Sequence, residues 1–331
     1  MESVPFSTFA ADREKKQRLN NNFLSDISCL KKYLDDPKVT DIFVIGTGEI
    51  IVKVFAKGKV FTGEKILPTK VRGIILSAAA LLDKQIDPIG GIPKLEAVIP
   101  PPYNARITGL LPPWVENPEV TFRKPPKEVF SLESYVEAGR MTKEEYELIC
   151  SFIKDRKNIL IGGGTGSGKS TLTNAIIQKM TEYTPNDRFY IVEDVPELQC
   201  NAHDKTMISV NPVHAAEAVR TALRWTPDRI IFGEVRYGEV ANELIKAWNT
   251  GHTGNVTTIH ADSCASMLMR MEDLLREVIP GAIPKLSNTI HLCVHMAGGK
   301  QGPHVDEVLP TNGSGTDDFI SMLKANKLAY Y

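Results

Sequence analysis

Residues 158–171 read NILIGGGTGSGKST, a short apolar run that enters a glycine-rich loop. The residues after the loop, TLTNAIIQKM, have the apolar spacing of a helix. A strand, a loop of the pattern GxxxxGK[ST] and a helix in this order are typical of a phosphate-binding loop. Glycines let backbone N–H groups converge on phosphate oxygens, and the helix N-terminus adds positive potential there. An ordinary glycine-rich turn is the alternative, but it gives Lys169 no role.

The loop residues have distinct expected roles. Lys169 would reach the β- and γ-phosphates, and the hydroxyl of Ser170 would bind Mg²⁺. The motif therefore predicts ATP and Mg²⁺ as the cofactors. The residues predicted to bind the nucleotide are Gly163, Gly164, Thr165, Gly166, Ser167, Gly168, Lys169, Ser170 and Thr171.

Carboxylates follow two later β-rich runs. Glu193 and Asp194 end the run RFYIVED, with Glu197 three residues further on, and Glu234 follows the run RIIFG. ATP hydrolysis needs one carboxylate to help hold Mg²⁺ and another to orient or deprotonate water. We predict that Glu234 orients the attacking water, with Glu193 as the second candidate. Helix capping or pairing with nearby arginines is the alternative for all four acids.

Two histidines flank the run NVTTI. His252 lies in a Gly-His-Thr-Gly turn before it, and His260 follows it. We predict that His252 senses the γ-phosphate or a neighbouring subunit. His260, taken alone, is expected to be a core or strand-end histidine.

Strand and helix patterns alternate from Lys143 onward, which predicts an α/β fold with a mostly parallel sheet covered on both faces. Ligands of such sheets bind beyond the carboxyl ends of the strands. Residues 38–60 contain two β-rich runs, and glycine and proline crowd residues 87–126, as expected for short strands and turns. The predicted organisation is a smaller N-terminal α+β domain at residues 1–131, a linker at 132–142 and a P-loop ATPase domain at 143–331.

The composition excludes several classes of protein. Of 331 residues, 42% are hydrophobic and 24% are charged, which argues against a disordered or a membrane-embedded chain. Five scattered cysteines favour reduced thiols over a disulfide framework, and the first 22 residues show no signal peptide. The net charge is −1, with 19 basic and 15 acidic residues before Leu132 and 20 and 25 from there on. No aromatic and basic pattern marks a specific nucleic-acid site.

The order of four blocks resembles the secretion and traffic ATPase superfamily. They are GGGTGSGKST (162–171), IVEDVPELQ (191–199), TPDRIIFGEVR (226–236) and TGHTGNVTTIHADS (250–263). The stretches RITGLLPPW (106–114) and TFRKP (121–125) are similar to the conjugal-transfer and type IV secretion branch. Thr226 departs from the usual basic residue before Pro-Asp, and the Gly46-Thr47-Gly48 turn is also unusual. The absent tetracysteine motif argues against the type II branch.

This resemblance implies a RecA-like motor domain, a sensor-like N-terminal domain and a homo-hexameric ring with nucleotide between the domains. It implies that Arg106 and Arg123, at the matching motif positions, contact the nucleotide phosphates. A guanidinium suits the charge that develops on a transferring phosphoryl group. Surface pairing with Glu96 or Glu119 is the alternative for these arginines.

The implied function is Mg²⁺-dependent ATP hydrolysis that powers a conjugative or type IV secretion system. The implied partners are inner-membrane components of the apparatus, and the implied location is the cytoplasm with peripheral membrane contact. A pilus-type ATPase of a related branch, a nucleic-acid-stimulated RecA-like motor and a nucleotide-binding scaffold without turnover remain alternatives.

Overall fold

The computed structural model describes residues 6–54, 57–87, 91–125, 129–298 and 302–311, with only the backbone for residues 6–12. The chain divides into two compact units, unit 1 at Met1–Lys127 and unit 2 at Glu128–Tyr331. No helix of the described residues is long and apolar enough to cross a membrane.

Unit 1 is built on a six-stranded antiparallel sheet with the strand order β3-β2-β1-β6-β5-β4. Its strands are β1 (Val39–Val44), β2 (Glu49–Val54), β3 (Gly58–Lys65), β4 (Lys94–Val98), β5 (Arg106–Leu110) and β6 (Glu119–Arg123). Its helices are α1 (Phe6–Asp26), α2 (Lys31–Asp35) and α3 (Pro68–Leu81). The apolar side chains of α3 pack with every second residue of the strands, for example Ile42 and Val44. The opposite face of the sheet carries the polar residues of the same strands.

The turn between β1 and β2 requires a glycine. Gly48 has a φ of +79°, and a Cβ there would lie 2.2 Å from the backbone oxygen of Ile66. Gly48 can adopt this conformation because it has no side chain. Glycine at position 48 of the Gly46-Thr47-Gly48 turn is therefore a local steric requirement.

Unit 2 contains a seven-stranded sheet with the order β13-β12-β7-β11-β10-β8-β9. All its strand pairs are parallel except that of β12 with β13. The strands are β7 (Ile159–Gly163), β8 (Phe189–Glu193), β9 (Lys205–Ser209), β10 (Arg229–Val235), β11 (Val256–Ile259), β12 (Leu292–Ala297) and β13 (His304–Pro310). The helices are α4 (Leu132–Glu137), α5 (Lys143–Lys154), α6 (Lys169–Tyr183), α7 (Ala215–Ala222), α8 (Gly238–Asn249) and α9 (Cys264–Arg276).

Two separate hydrophobic clusters cover the two faces of this sheet. Helices α4, α5 and α6 pack on one face, and helices α7, α8 and α9 pack on the other. Every residue of β7, β8 and β11 is buried, as expected for central strands of a parallel sheet. The predicted α/β class with a mostly parallel sheet is confirmed.

Two features of unit 2 differ from the sequence-based expectation. Residues 132–142, expected to form a linker, contain helix α4, whose Leu132 and Tyr135 are buried in the core of unit 2. Ser131 caps α4 by accepting a hydrogen bond from the N–H of Ser134. The short helix escaped prediction because its stability comes from tertiary packing. Strand β13 was also not expected, and residues 312–331 of the predicted ATPase domain lie outside the described residues.

Candidate functional site

The glycine-rich loop joins the end of β7 to the start of α6. Gly163 has a φ of +149°, and a Cβ there would lie 2.4 Å from the backbone oxygen of Met296. Gly168 has a φ of +93° and stands directly before the first residue of α6. The loop therefore needs glycine at both ends, and the first N–H groups of α6 remain free to meet an anion.

Lys169 is the first residue of α6 and is 9% exposed. Its Nζ donates hydrogen bonds to the backbone oxygens of Gly163 at 2.8 Å and Gly164 at 3.1 Å. Burial lowers the pKa of Lys169, and the nearby Glu234 opposes that effect. The Oγ of Ser167 is buried in the same loop without a hydrogen-bond partner among the described residues. A bound phosphate would offer acceptors to the Lys169 ammonium and to the Ser167 hydroxyl, since its oxygens accept hydrogen bonds from both kinds of group.

Ser170 and two glutamates lie together beside the loop. The Oγ of Ser170 donates to Oε2 of Glu197 at 2.5 Å. The Oε2 of Glu193 accepts the backbone N–H groups of Glu197 and Leu198, both at 2.9 Å. Burial raises the pKa of Glu193 to about 7, although these two hydrogen bonds act in the opposite direction. These hydroxyl and carboxylate oxygens are the donors that Mg²⁺ prefers.

Glu234, near the end of β10, is surrounded by cationic and imidazole groups. Its Oε1 lies 2.8 Å from Nε2 of His260 and 3.8 Å from Nζ of Lys169. Its Oε2 accepts hydrogen bonds from the guanidinium of Arg236, which also donates to Asp194 at 2.5 Å. Arg236 thus connects Asp194, which follows β8, with Glu234 near the end of β10.

The two histidines lie at opposite ends of β11. His260 follows its carboxyl end, and its Nδ1 lies 3.4 Å from Nζ of Lys169. His252 precedes its amino end, and the four strand residues between them span about 13 Å at 3.3 Å per residue. In a parallel sheet only carboxyl ends reach the loop after β7, so His252 does not lie beside the loop of its own chain.

His260 is therefore a site residue that sequence reasoning missed. Its position in the sequence could have identified it. His260 follows the apolar run of β11 in the same way that Glu234 follows the apolar part of β10. His260 lies at the carboxyl end of a parallel strand, as Glu193 and Glu234 do, and ligands of such sheets bind at these ends.

The two predicted arginines belong to unit 1. Arg106 on β5 and Arg123 on β6 are direct cross-strand partners. Nε of Arg123 donates to Oδ1 of Asp41 at 3.1 Å. The two acids expected to pair with these arginines have other partners. Glu119 accepts a hydrogen bond from the backbone N–H of Gly46, and Glu96 forms an ion pair with Lys94. Arg106 has no ion-pair partner among the described residues.

The parallel sheet, the loop with Lys169 and Ser170, and the acids at the neighbouring strand ends define a P-loop ATPase. The profile of the family described as "Type II/IV secretion system protein" matches residues 92–296. The chain belongs to this family. The predicted resemblance, the ATPase activity and the type IV secretion function are thereby confirmed, and the family implies ATP binding.

Relatives support this assignment along most of the chain. The chain is 37% identical over 302 residues to the conjugal transfer protein TrbB of Rhizobium radiobacter, covering 88% of each chain. It is 28% identical over 323 residues to the type IV secretion system protein VirB11 of Brucella suis biovar 1, covering 84% of this chain and 87% of that protein.

Solved structures share the fold. The ATPase DotB of Legionella pneumophila aligns with a TM-score of 0.63 at 20% identity, over 88% of this chain and 82% of that chain. The pilus retraction motor PilT aligns with a TM-score of 0.63 at 18% identity, over 90% and 88%.

Proposed function

We propose that the chain is the Mg²⁺-dependent, ATP-hydrolysing motor of a conjugative type IV secretion system and works as a homo-hexamer. The observation that carries this proposal is the convergence of Lys169, Ser170, Glu193, Glu234 and His260 at one edge of the parallel sheet of unit 2. The similarity to a conjugal transfer protein over 88% of the chain favours conjugation over the other secretion branches.

Residues 163–171 cradle the phosphates. Lys169 would exchange its two backbone acceptors for phosphate oxygens, and the hydroxyl of Ser170, now bonded to Glu197, would hold Mg²⁺. When bound, Mg²⁺ would neutralise part of the negative charge of the phosphates. The Lys169 ammonium would then meet charged phosphate oxygens instead of neutral backbone carbonyls, which favours binding.

Glu193 is a candidate, beside Glu234, for the base that takes a proton from water. Its pKa of about 7 is close to the pH at which such an enzyme works, and a base is most efficient under that condition. Glu234 already balances the charges of Lys169 and Arg236, so it orients these groups and His260.

Arg106 and Arg123 supply positive charge from unit 1 to the transferring phosphoryl group. In this proposal residues 1–127 form the sensor-like domain and residues 128–331 form the motor domain, and hydrolysis moves one against the other. His252 lies away from its own loop and is assigned to the neighbouring subunit of the ring. The ring works in the cytoplasm against inner-membrane components of the secretion apparatus.

Phosphate release by purified protein tests the proposal. Lys169→Ala should abolish turnover, since the ammonium is the main charge of the loop, and Ser170→Ala should weaken the response to Mg²⁺. Lys143→Ala is the matched control, because that lysine of unit 2 has a side chain 76% exposed and should be dispensable. Substantial turnover by Lys169→Ala would refute the assignment of the phosphate site.

A further inference from the structure

Asp41 is a carboxylate in the middle of strand β1. Aspartate is depleted in strands, and carboxylates as buried as Asp41, which is 8% exposed, are rare unless they are paired. Its Oδ1 accepts the hydrogen bond from Nε of Arg123, and its Oδ2 accepts the hydroxyl of Thr40 at 2.8 Å. Both oxygens are therefore used, and one of them holds an arginine to which the proposed function assigns a role.

The strand register places Asp41 inside a row of cations. Across five neighbouring strands the aligned residues are Lys59, Lys53, Asp41, Arg123 and Arg106. Like charges directly opposite each other on neighbouring strands destabilise a sheet. This row contains two such pairs, one on each side of the single carboxylate. An anion bound at the arginine end would relieve the repulsion that Asp41 alone does not neutralise.

The ion pair with Asp41 leaves the two Nη groups of Arg123 available as hydrogen-bond donors. The ion pair uses Nε, and neither Nη group donates a hydrogen bond to another described residue. The side chain of Arg123 is 44% exposed, although that of Asp41 is only 11% exposed. Because the guanidinium is planar, a bond at Nε fixes the direction of both Nη groups, and this pair of donors binds phosphate oxygens well.

We propose that Asp41 is a positioning residue for ATP hydrolysis. It holds the guanidinium of Arg123 by Nε, next to Arg106, so that the Nη groups are presented to the transferring phosphoryl group. This inference rests on the proposed role of Arg123 and assigns its orientation to a residue outside the recognised motifs.

The negative charge of Asp41 makes it possible to distinguish a role in positioning Arg123 from a role in attracting ATP. Asp41 is negative and weakens the attraction of the row for ATP, so Asp41→Asn makes the row more positive. ATP affinity should then stay the same or increase. The rate of the chemical step should fall, because a mobile Arg123 is no longer aligned with the developing charge. A structural role alone would lower the melting temperature without such a split between kcat and KM.

Steady-state ATP hydrolysis by the full chain with Mg²⁺ tests the inference. For Asp41→Asn we expect kcat to fall about tenfold, in line with the loss of one charge-assisted contact, and KM not to rise. Arg123→Ala should lower kcat at least as much, and the double variant should be no worse than Arg123→Ala. Asp26→Asn is the matched control, because it removes an ion pair with Lys70 of 3.0 Å in the same unit.

A charge exchange, Asp41→Arg with Arg123→Asp, provides the second measurement. It restores an ion pair between the same strands but moves the cation to β1. Positioning predicts a restored melting temperature without restored turnover, and recovery of both would overturn the inference. Unchanged kinetics of Arg123→Ala would overturn the proposed role of that arginine. A defective Arg123→Ala together with a normal Asp41→Asn would overturn only the role of Asp41.

Discussion

Glu193 is a buried carboxyl group, and burial disfavours its ionised form. It is 4% exposed, and burial raises its pKa to about 7, whereas an unperturbed glutamate titrates near 4.3. Between these two values the folded state keeps the proton and the unfolded chain has lost it. The folded state binds more protons there, so its stability falls as the pH rises through this window and levels off above it.

We expect Glu193→Gln to remove this pH dependence, because the amide does not titrate. The free energy of unfolding of the variant, relative to wild type, should rise by about 2 kcal/mol between pH 5 and pH 7.5. Urea unfolding without nucleotide or Mg²⁺ at several pH values measures the difference. A difference that is constant over this range would mean that Glu193 is ionised in the folded protein at pH 5.

At the scale of elements, helix α4 is tied to the helix that starts at the phosphate loop. Glu133 on α4 accepts from Nζ of Lys179 on α6 at 2.5 Å and from the hydroxyl of Tyr146 on α5 at 2.8 Å. Burial raises the pKa of Glu133, but these hydrogen bonds outweigh it and hold that pKa at about 2. Three helices thus share one carboxylate.

Glu133→Gln should destabilise the protein by about 1 kcal/mol at pH 7, a modest value because the Glu133 side chain is 43% exposed. The folded-state pKa is lowered, so the contribution is present above pH 4.5 and is lost as the pH falls towards 2. Thermal or urea unfolding at neutral and acid pH checks both points. Glu147→Gln is the control, since its ion pair with Lys143 is fully on the surface; an equal loss in both variants would contradict the prediction.

At the scale of the whole molecule, the residues with proposed roles belong to two compact units. Unit 2 carries the phosphate loop and the acids, and unit 1 carries the arginine pair on an antiparallel sheet. The total charge of −1 is therefore a poor guide to the ligand, because in the proposed function a few placed cations and a helix N-terminus meet the phosphates.

The proposed ring makes a prediction about mass. With a non-hydrolysable ATP analogue and Mg²⁺, light scattering should give six times the chain mass of 36.6 kDa, about 220 kDa. Nucleotide should favour the ring, because a ligand that binds the assembled form shifts the equilibrium towards it. Lys169→Ala should assemble less readily under the same conditions. A chain-sized mass at every protein concentration would contradict the hexamer.

Local sequence patterns determined the α/β class, the loop with Lys169 and Ser170, and the family. These features depend on short-range rules: which residues permit positive φ, and where apolar runs begin and end. The same rules selected Glu193 and Glu234 as strand-end acids. The structure places Glu234 near Lys169 of the loop and connects Glu193 to Ser170 through Glu197.

Only the tertiary structure decided which neighbours these residues have. The strand direction of β11 brings His260 and not His252 to Lys169, and burial raises the pKa of Glu193. The register of unit 1 pairs Asp41 with Arg123, although 82 residues separate them in the chain. Sequence patterns report local conformation. Strand order, strand register and desolvation depend on residues that are far apart in the chain. These three properties set the charges and contacts of the site.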